Sequence, residues 1–268
     1  MSTAVTIIRP QGTGPLAFLV EAWQARHLLV IFALRDLRVR YVQAIFGVAW
    51  AVVQPVALLA AFTLVLGRQD PLAYLVATLP ALIPWQLAAS GLGHGVNALV
   101  DQERLLTKVY FPRLVLPLAA SVAGMLDALI VLVLALPLLV ILGQGPGFEA
   151  LALPLLLLIT PLALLGPVLG LAALNVRYRD VRYILPLLTQ VLLIASPIAY
   201  RPEQIDASWR LFLALNPLWA VMGLWRWALL GTPLALDEVA LGAGVAIVLL
   251  GIGITAFRRM ERSFADVI

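Results

Sequence analysis

The sequence predicts an all-α membrane protein. Six transmembrane helices are expected, with an amphipathic helix before the first and a re-entrant helical hairpin between the last two. Three observations carry this. Of 268 residues, 63% are hydrophobic and 12% charged, with mean hydropathy +1.02, against roughly 45–50% apolar and about 25% charged in soluble domains. The apolar residues gather in stretches that match the thickness of a bilayer. The Lys and Arg residues collect in alternate connecting segments.

The chain opens on a polar segment, 1–15, with one arginine, Arg9. The next stretch, 16–33, is broken by Glu21, Gln24, Arg26 and His27, and no small-residue cleavage site follows, so no secretory leader is expected. Across 16–41 apolar residues recur at helical spacing (Trp23, Val30, Leu34, Leu37, Tyr41), while Glu21, Gln24, Arg35 and Arg38 fall largely on other faces. That pattern fits a helix lying in the cytoplasmic interface; the alternative is a plain polar leader.

A span needs about 20 apolar residues, at about 1.5 Å per residue across a core about 30 Å thick. Six stretches qualify or come close: 44–66, 72–100, 114–142, 151–174, 183–200 and 239–257. Asp127 and His94 are the ionisable side chains well inside them. Of the 18 Lys and Arg residues, only Arg68, Arg201, Arg210 and Arg226 fall outside if the N-terminus is cytoplasmic, leaving 14 inside. The positive-inside rule then places both termini in the cytoplasm of a multi-pass inner-membrane protein.

Between the fifth and sixth spans, 201–237 contains an uncharged run, 211–225, interrupted by Arg226 and followed by Gly231 and Pro233. Each piece is too short to cross. Two short halves entering and leaving by the same face solve this, provided protein or a water-filled cavity covers their backbone. One membrane domain, 1–268, is expected, with no repeat and no linker.

Several chemistries are excluded or unsupported. The absence of cysteine removes disulfides and thiol chemistry. Net charge +4 and pI 9.8 fit arginine-rich cytoplasmic loops better than a nucleic-acid partner. His27 and His94 are the only histidines and do not cluster as a zinc site would require, so no metal is expected. Ser90 and His94 lie four apart, without a G-x-S-x-G or a nearby carboxylate in sequence. No phosphate-cradling G-x-x-x-x-G-K-[ST] loop is present. The chain has no catalytic residues of its own; any ATP-driven motor belongs to another subunit.

Asp127 reads two ways, as a functional carboxylate within a span or as a structural partner for a neighbouring polar group. The loop 101–113 is more informative. Asp101 is placed to cap a short helix over 101–110, with Leu105, Leu106 and Val109 on one side and charges on the other, ended by Pro112. Such a helix is well shaped to dock a soluble partner. The loop 175–182 interleaves Arg177, Arg179 and Arg182 with Tyr178.

Leu105-Leu-Thr-Lys-Val-Tyr-Phe-Pro-Arg-Leu-Val-Leu-Pro117 closely resembles a segment of the permease subunits that export O-antigen and teichoic acid. So do Leu34-Arg-Asp-Leu-Arg-Val-Arg-Tyr41 with Gly47, Trp50 and Pro55; Asn175-Val-Arg-Tyr-Arg-Asp180; Ser196-Pro-Ile198; Leu215-Asn-Pro217; and Phe257-x-x-x-Glu261-x-x-Phe-Ala-Asp266. The matches occur in order from Leu34 to the last residues.

The resemblance implies a type-2 ABC exporter: a homodimer of this permease with two copies of an ATP-binding cassette subunit, which binds the ATP and Mg. It implies that the helix at 101–110 sits in a groove of that subunit, through Asp101, Glu103, Arg104, Leu105, Lys108 and Tyr110, and that Arg177, Arg179 and Asp180 supply a second contact. It also implies an interfacial helix at 16–41, an external re-entrant hairpin at 201–237, and a lipid-linked glycan as substrate, moved among membrane lipids. Aromatic rings can contact the C–H-rich faces of sugars, so Trp50, Trp85, Trp219, Trp225 and Trp227 are pathway candidates together with Asp127. Each Trp is equally a belt or core residue. The external loop at 67–71 is too short to recognise a particular glycan. Competing readings are an exporter of drugs or small lipids on the same plan, a proton-coupled carrier using Asp127, and a membrane enzyme acting on lipid phosphates.

Overall fold

In lipid an apolar segment folds as a helix, because a helix satisfies every backbone N–H and C=O within the segment. A computed structural model describes residues 20, 23–42, 47–108, 111–262 and 264, and no strand occurs among them. In chain order the helices are α1 (Arg26–Val42), α2 (Trp50–Leu66), α3 (Pro71–Ser90), α4 (Val96–Asp101), α5 (Glu103–Lys108), α6 (Val115–Ile141), α7 (Leu153–Arg177), α8 (Val181–Ala195), α9 (Ala207–Leu213), α10 (Pro217–Leu230) and α11 (Leu236–Glu261). A π turn, Gly91–Gly95, joins α3 to α4 as one continuous rod.

Five of these units are long and apolar enough to cross a membrane: Gly47–Leu66, Pro71–Asp101, Val115–Ile141, Phe148–Arg177 and Leu236–Glu261. They fall on the expected stretches at 44–66, 72–100, 114–142, 151–174 and 239–257, of which 44–46 lie outside the described residues. The stretch expected to run 183–200 differs. Its helix, α8, has 15 residues and stops at Ala195, because Pro197 disfavours helical backbone at the residue before it. Ser196 is accordingly extended (φ −92°, ψ 143°).

Leu28 and Phe32 of α1, Phe111, and Phe257 and Phe264 pack into one apolar cluster, and Arg113 Nη1 donates to the Glu261 carbonyl at 2.7 Å. The beginning and end of the described chain therefore share one end of the bundle, the near end. Asp70, Gln144, Arg201 and Thr232 surround a cavity at the opposite, far end. The main core lies between α3, α6, α7 and α10, around Leu82, Ile83, Leu132, Leu139, Met222 and Trp225.

The closest helix pair is α7 with α11. A Cβ added at Gly166 would fall within the backbone of Leu249 and Leu250, and one at Gly253 within the backbone of Gly166. Small residues permit that approach, which drives helix association where lipid gives no hydrophobic force.

Of the segment 16–41 expected to form an amphipathic helix, the part from Arg26 is helical, in a helix that runs to Val42; residues 16–19, 21 and 22 lie outside the described residues. Of the stripe expected from the sequence, Trp23, Val30 and Leu34 are exposed, while Leu37 and Tyr41 are half-buried; Ala25 and Ala33 are buried, and Leu28 and Phe32 pack on the protein. The helix thus turns an Ala/Phe face to the bundle, and the expected stripe is outward only in its first part. Between α8 and α11, α9 and α10 have 7 and 14 residues, about 10 and 21 Å long. The α10 helix starts where the Asn216 side chain accepts from Leu218 N–H, with Pro217 at the first position, and ends at Gly231 in the left-handed region (φ 66°).

Candidate functional site

Three polar places interrupt this apolar bundle. The first is a groove of about 700 Å³ at the near end, lined by Asp101, Gln102, Glu103, Arg104, Lys108 and Arg182. The cap expected at Asp101 is corrected: Asp101 is the last residue of α4, and the Gln102 carbonyl starts α5 by accepting from Leu105 and Leu106 N–H at 2.9 and 3.2 Å. The rod simply runs one residue further than the loop composition indicates. Leu105 and Leu106 turn inward against the near-end cluster, while Glu103, Arg104 and Lys108 are exposed. Tyr110 lies outside the described residues.

Asn175 holds the two loops together. Its Nδ2 donates to the Val96 carbonyl at 3.1 Å and to Asn97 Oδ1 at 3.0 Å, tying the end of α7 to α4. Arg177 stacks its guanidinium over Tyr178, 5.5 Å from the ring centroid. Arg177, Arg179 and Asp180 are exposed, and the Asp180 carbonyl accepts from Tyr183 and Ile184 N–H as α8 begins. The groove therefore joins Arg182 to α5; Arg177, Arg179 and Asp180 flank it without lining it.

The second place surrounds Asp127. Arg40 Nη1 donates to its Oδ2 and the Tyr41 hydroxyl to its Oδ1. Burial first, and then the bond to Asp127, push the Tyr41 hydroxyl up to about 12, so it remains a donor at physiological pH. A cavity of about 420 Å³ joins these groups to Trp50, Gln54, Gln86, Ser90 and His94. The carboxylate that the sequence does not show near Ser90 and His94 is thus Asp127. A hydrolytic triad is nevertheless not formed: Ser90 Oγ is buried without a hydrogen-bond partner, and Asp127 is engaged by Arg40 and Tyr41 rather than by His94. The π turn that rotates His94 toward this cavity carries no sequence signal beyond its three glycines.

The third place is the far-end cavity, about 690 Å³, between α3, α10 and α11. Arg226 lines it while 7% exposed. Its Nε donates to the Ala77 carbonyl, and Nη2 to the carbonyls of Pro197 and Tyr200. The sequence did carry a signal here: Arg226 stands alone in an apolar stretch, and a solitary ionisable residue of that kind marks a functional position.

The tryptophans separate by environment. Trp219 and Trp225 are 2% and 0% exposed, and Trp85 is 5% exposed. Trp225 Nε1 donates to Thr160 Oγ1 at 3.0 Å, and Trp219 Nε1 to Glu238 Oε2 at 2.6 Å. Trp227 is half-buried, and Trp50 is 43% exposed. Of the five pathway candidates, Trp50 and, in part, Trp227 offer ring surface.

A polytopic helical bundle with an amphipathic near-end helix between its second and third units agrees with the exporter plan that the sequence resembles. The model of the ABC-2 type transporter membrane family matches residues 27–230, and the chain belongs to that family. It is 31% identical over 256 residues to the O-antigen export system permease protein RfbA of Myxococcus xanthus, covering 92% of this chain and 97% of that protein. Two proteins of Klebsiella pneumoniae with the same name are 25% and 24% identical over 246 residues, covering 90% of this chain and 95% of each.

Proposed function

We propose that this chain is the transmembrane subunit of an ATP-driven exporter that moves lipid-linked polysaccharide, an O-antigen or similar surface polymer, across the bacterial inner membrane. The observation that carries the reading is the near full-length similarity to permeases named for O-antigen export. The whole chain acts as one membrane domain, and the power stroke comes from a separate ATP-binding subunit that holds ATP and Mg.

On this reading α8 completes a sixth crossing. Its 15 residues span about 22 Å, and Ser196 and the turn at 197–200 carry the chain on to the far end. The concentration of Lys and Arg makes the near end cytoplasmic, with α1 in the interface. The pair α9–α10 is the external re-entrant hairpin, with α10 packed against α3, α7 and α11.

The near-end groove docks the ATP-binding subunit. Exposed charges of both signs, Glu103 and Arg104 on α5 with Arg182 opposite, set the register of that contact; Arg177, Arg179 and Asp180 extend it. Two permeases and two ATP-binding subunits assemble, and closure on ATP moves α5, and with it the rod that carries His94. Trp50 and Trp227 offer surface to a passing sugar; Trp85, Trp219 and Trp225 hold the wall behind it. The pairing of Asp127 with Arg40 favours a structural tether between α1 and α6 over a proton relay.

Purification of the chain with its ATP-binding subunit tests this reading. A complex of two copies of each, whose ATP hydrolysis rises severalfold with lipid-linked glycan, is expected. Hydrolysis that responds to small lipophilic drugs and not to the glycan would assign the chain to the other exporters of this plan.

A further inference from the structure

The far-end cavity holds a buried cation that stands outside any ion pair. Arg226 is more than nine-tenths buried, its three acceptors among the described residues are neutral carbonyls, and both N–H groups of Nη1 lack an acceptor. No carboxylate forms an ion pair with it among the described residues. Leaving a buried charge in that state is costly, so its position favours a partner that arrives from outside.

Acids do line the same cavity. Asp70 is occupied in capping α3, accepting from Ala73 N–H at 3.0 Å, and Glu238 accepts from Trp219 Nε1. Glu203, in the exposed turn after Arg201, is the third. The walls therefore offer Arg226, Arg201 and Arg210 against Asp70, Glu203 and Glu238, a balance that repels a simple anion as much as it attracts one. The remaining lining is aliphatic: Leu72, Val76, Leu142, Leu230, Leu234 and Val239. A volume of about 690 Å³ is within the range of ligand sites, about 300–1,000 Å³.

We propose that this cavity binds the headgroup of a zwitterionic phospholipid. The phosphate meets the guanidinium of Arg226, the ammonium lies toward Glu203 and Glu238, and the glycerol end and first methylenes run along Leu72, Val76 and Val239. A neutral sugar satisfies the acids but leaves the buried cation uncompensated. An anionic lipid compensates Arg226 but leaves the three carboxylates facing only Arg201 and Arg210, one negative charge in excess. The lipid would bridge α3 to α10 and α11 and so fix the α9–α10 hairpin against the bundle. This site is independent of what the protein exports.

Native mass spectrometry of the full chain, titrated with dioleoylphosphatidylethanolamine, dioleoylphosphatidylglycerol or maltose, tests the inference. One ethanolamine lipid per chain, preferred about tenfold or more over the glycerol lipid, is expected, because both lipids carry the phosphate and only the ethanolamine ammonium can pair with Glu203 and Glu238. Arg226→Gln should weaken it by about the same factor. Because that buried change can impair folding, Glu203→Gln, on an exposed turn, is the second variant: it should lower ethanolamine-lipid binding while leaving or raising glycerol-lipid binding. Equal binding of both lipids by the wild type and Glu203→Gln would overturn the proposal, as would saturable maltose binding at Arg226 without bound lipid.

Discussion

Arg40 on α1 donates through Nη1 to Oδ2 of Asp127 on α6, a contact between residues 87 positions apart. Tyr41 takes the other carboxylate oxygen, so both oxygens of a buried acid are held by the last turn of the helix that precedes the first span. At about 1.5 Å per residue, Asp127 lies about 18 Å from the start of α6 at Val115 and about 21 Å from its end at Ile141. The tether thus fastens α1 to the bundle well inside α6.

Breaking such a pair from one side leaves a charge uncompensated, at a cost of about 3–5 kcal/mol for full burial. Arg40 keeps partial exposure, with 20% of its side chain accessible, so a loss of about 2–3 kcal/mol is expected for Asp127→Leu. The double variant Arg40→Met, Asp127→Leu should recover most of it. Thermal unfolding of the four forms in one detergent checks this double-mutant cycle. Export retained by the double variant would also dispose of Asp127 as a proton relay.

The α7–α11 contact gives a sharper steric prediction. Gly253→Ala places a methyl into the Gly166 backbone, and overpacking of this kind costs typically 1–3 kcal/mol or more. Gly251, two residues away, faces open space, so Gly251→Ala should leave stability unchanged or raise it by under about 1 kcal/mol. Comparing the two Tm values separates packing from helix propensity.

Trp225 and Trp50 should behave oppositely. Trp225 is fully buried and bonded to Thr160; Trp225→Ala should cost about 3–5 kcal/mol and lower the membrane level of the protein. Trp50→Ala, at a residue 43% exposed, should change Tm little and reduce export. Immunoblotting of membranes beside a surface-glycan assay distinguishes the two losses.

At the near-end groove, Arg182→Glu should weaken recovery of the ATP-binding subunit severalfold, more at low salt than at high, because exposed charge pairs are screened by ions. Thr189→Ala, about two turns further along the same face of α8, serves as the control. Pull-down at two salt concentrations reads the difference.

Much of this was legible in the sequence. Lipid as solvent forces each long apolar stretch into a helix, so five spans fell within a few residues of their expected places. The amphipathic α5 followed from Leu105 and Leu106 opposite Glu103 and Lys108. The end of α8 was less legible, since Ser196 and Pro197 are apolar enough to continue a hydropathy stretch but not a helix. The Arg40–Asp127 tether was hidden because no local period links residues on α1 and α6; only packing brings them together. Arg226 was visible as a lone charge, but that it stands outside any ion pair depends on where α3 and the turn at Pro197–Tyr200 present their carbonyls.

The central claim is polysaccharide export, and deletion of the gene followed by separate measurement of lipid-linked glycan in the two leaflets of the inner membrane tests it most directly. Polymer trapped in the cytoplasmic leaflet is predicted, released by the wild-type gene but not by a copy whose α5 is disrupted. Unchanged surface glycan, in a strain with no second exporter, would contradict the claim.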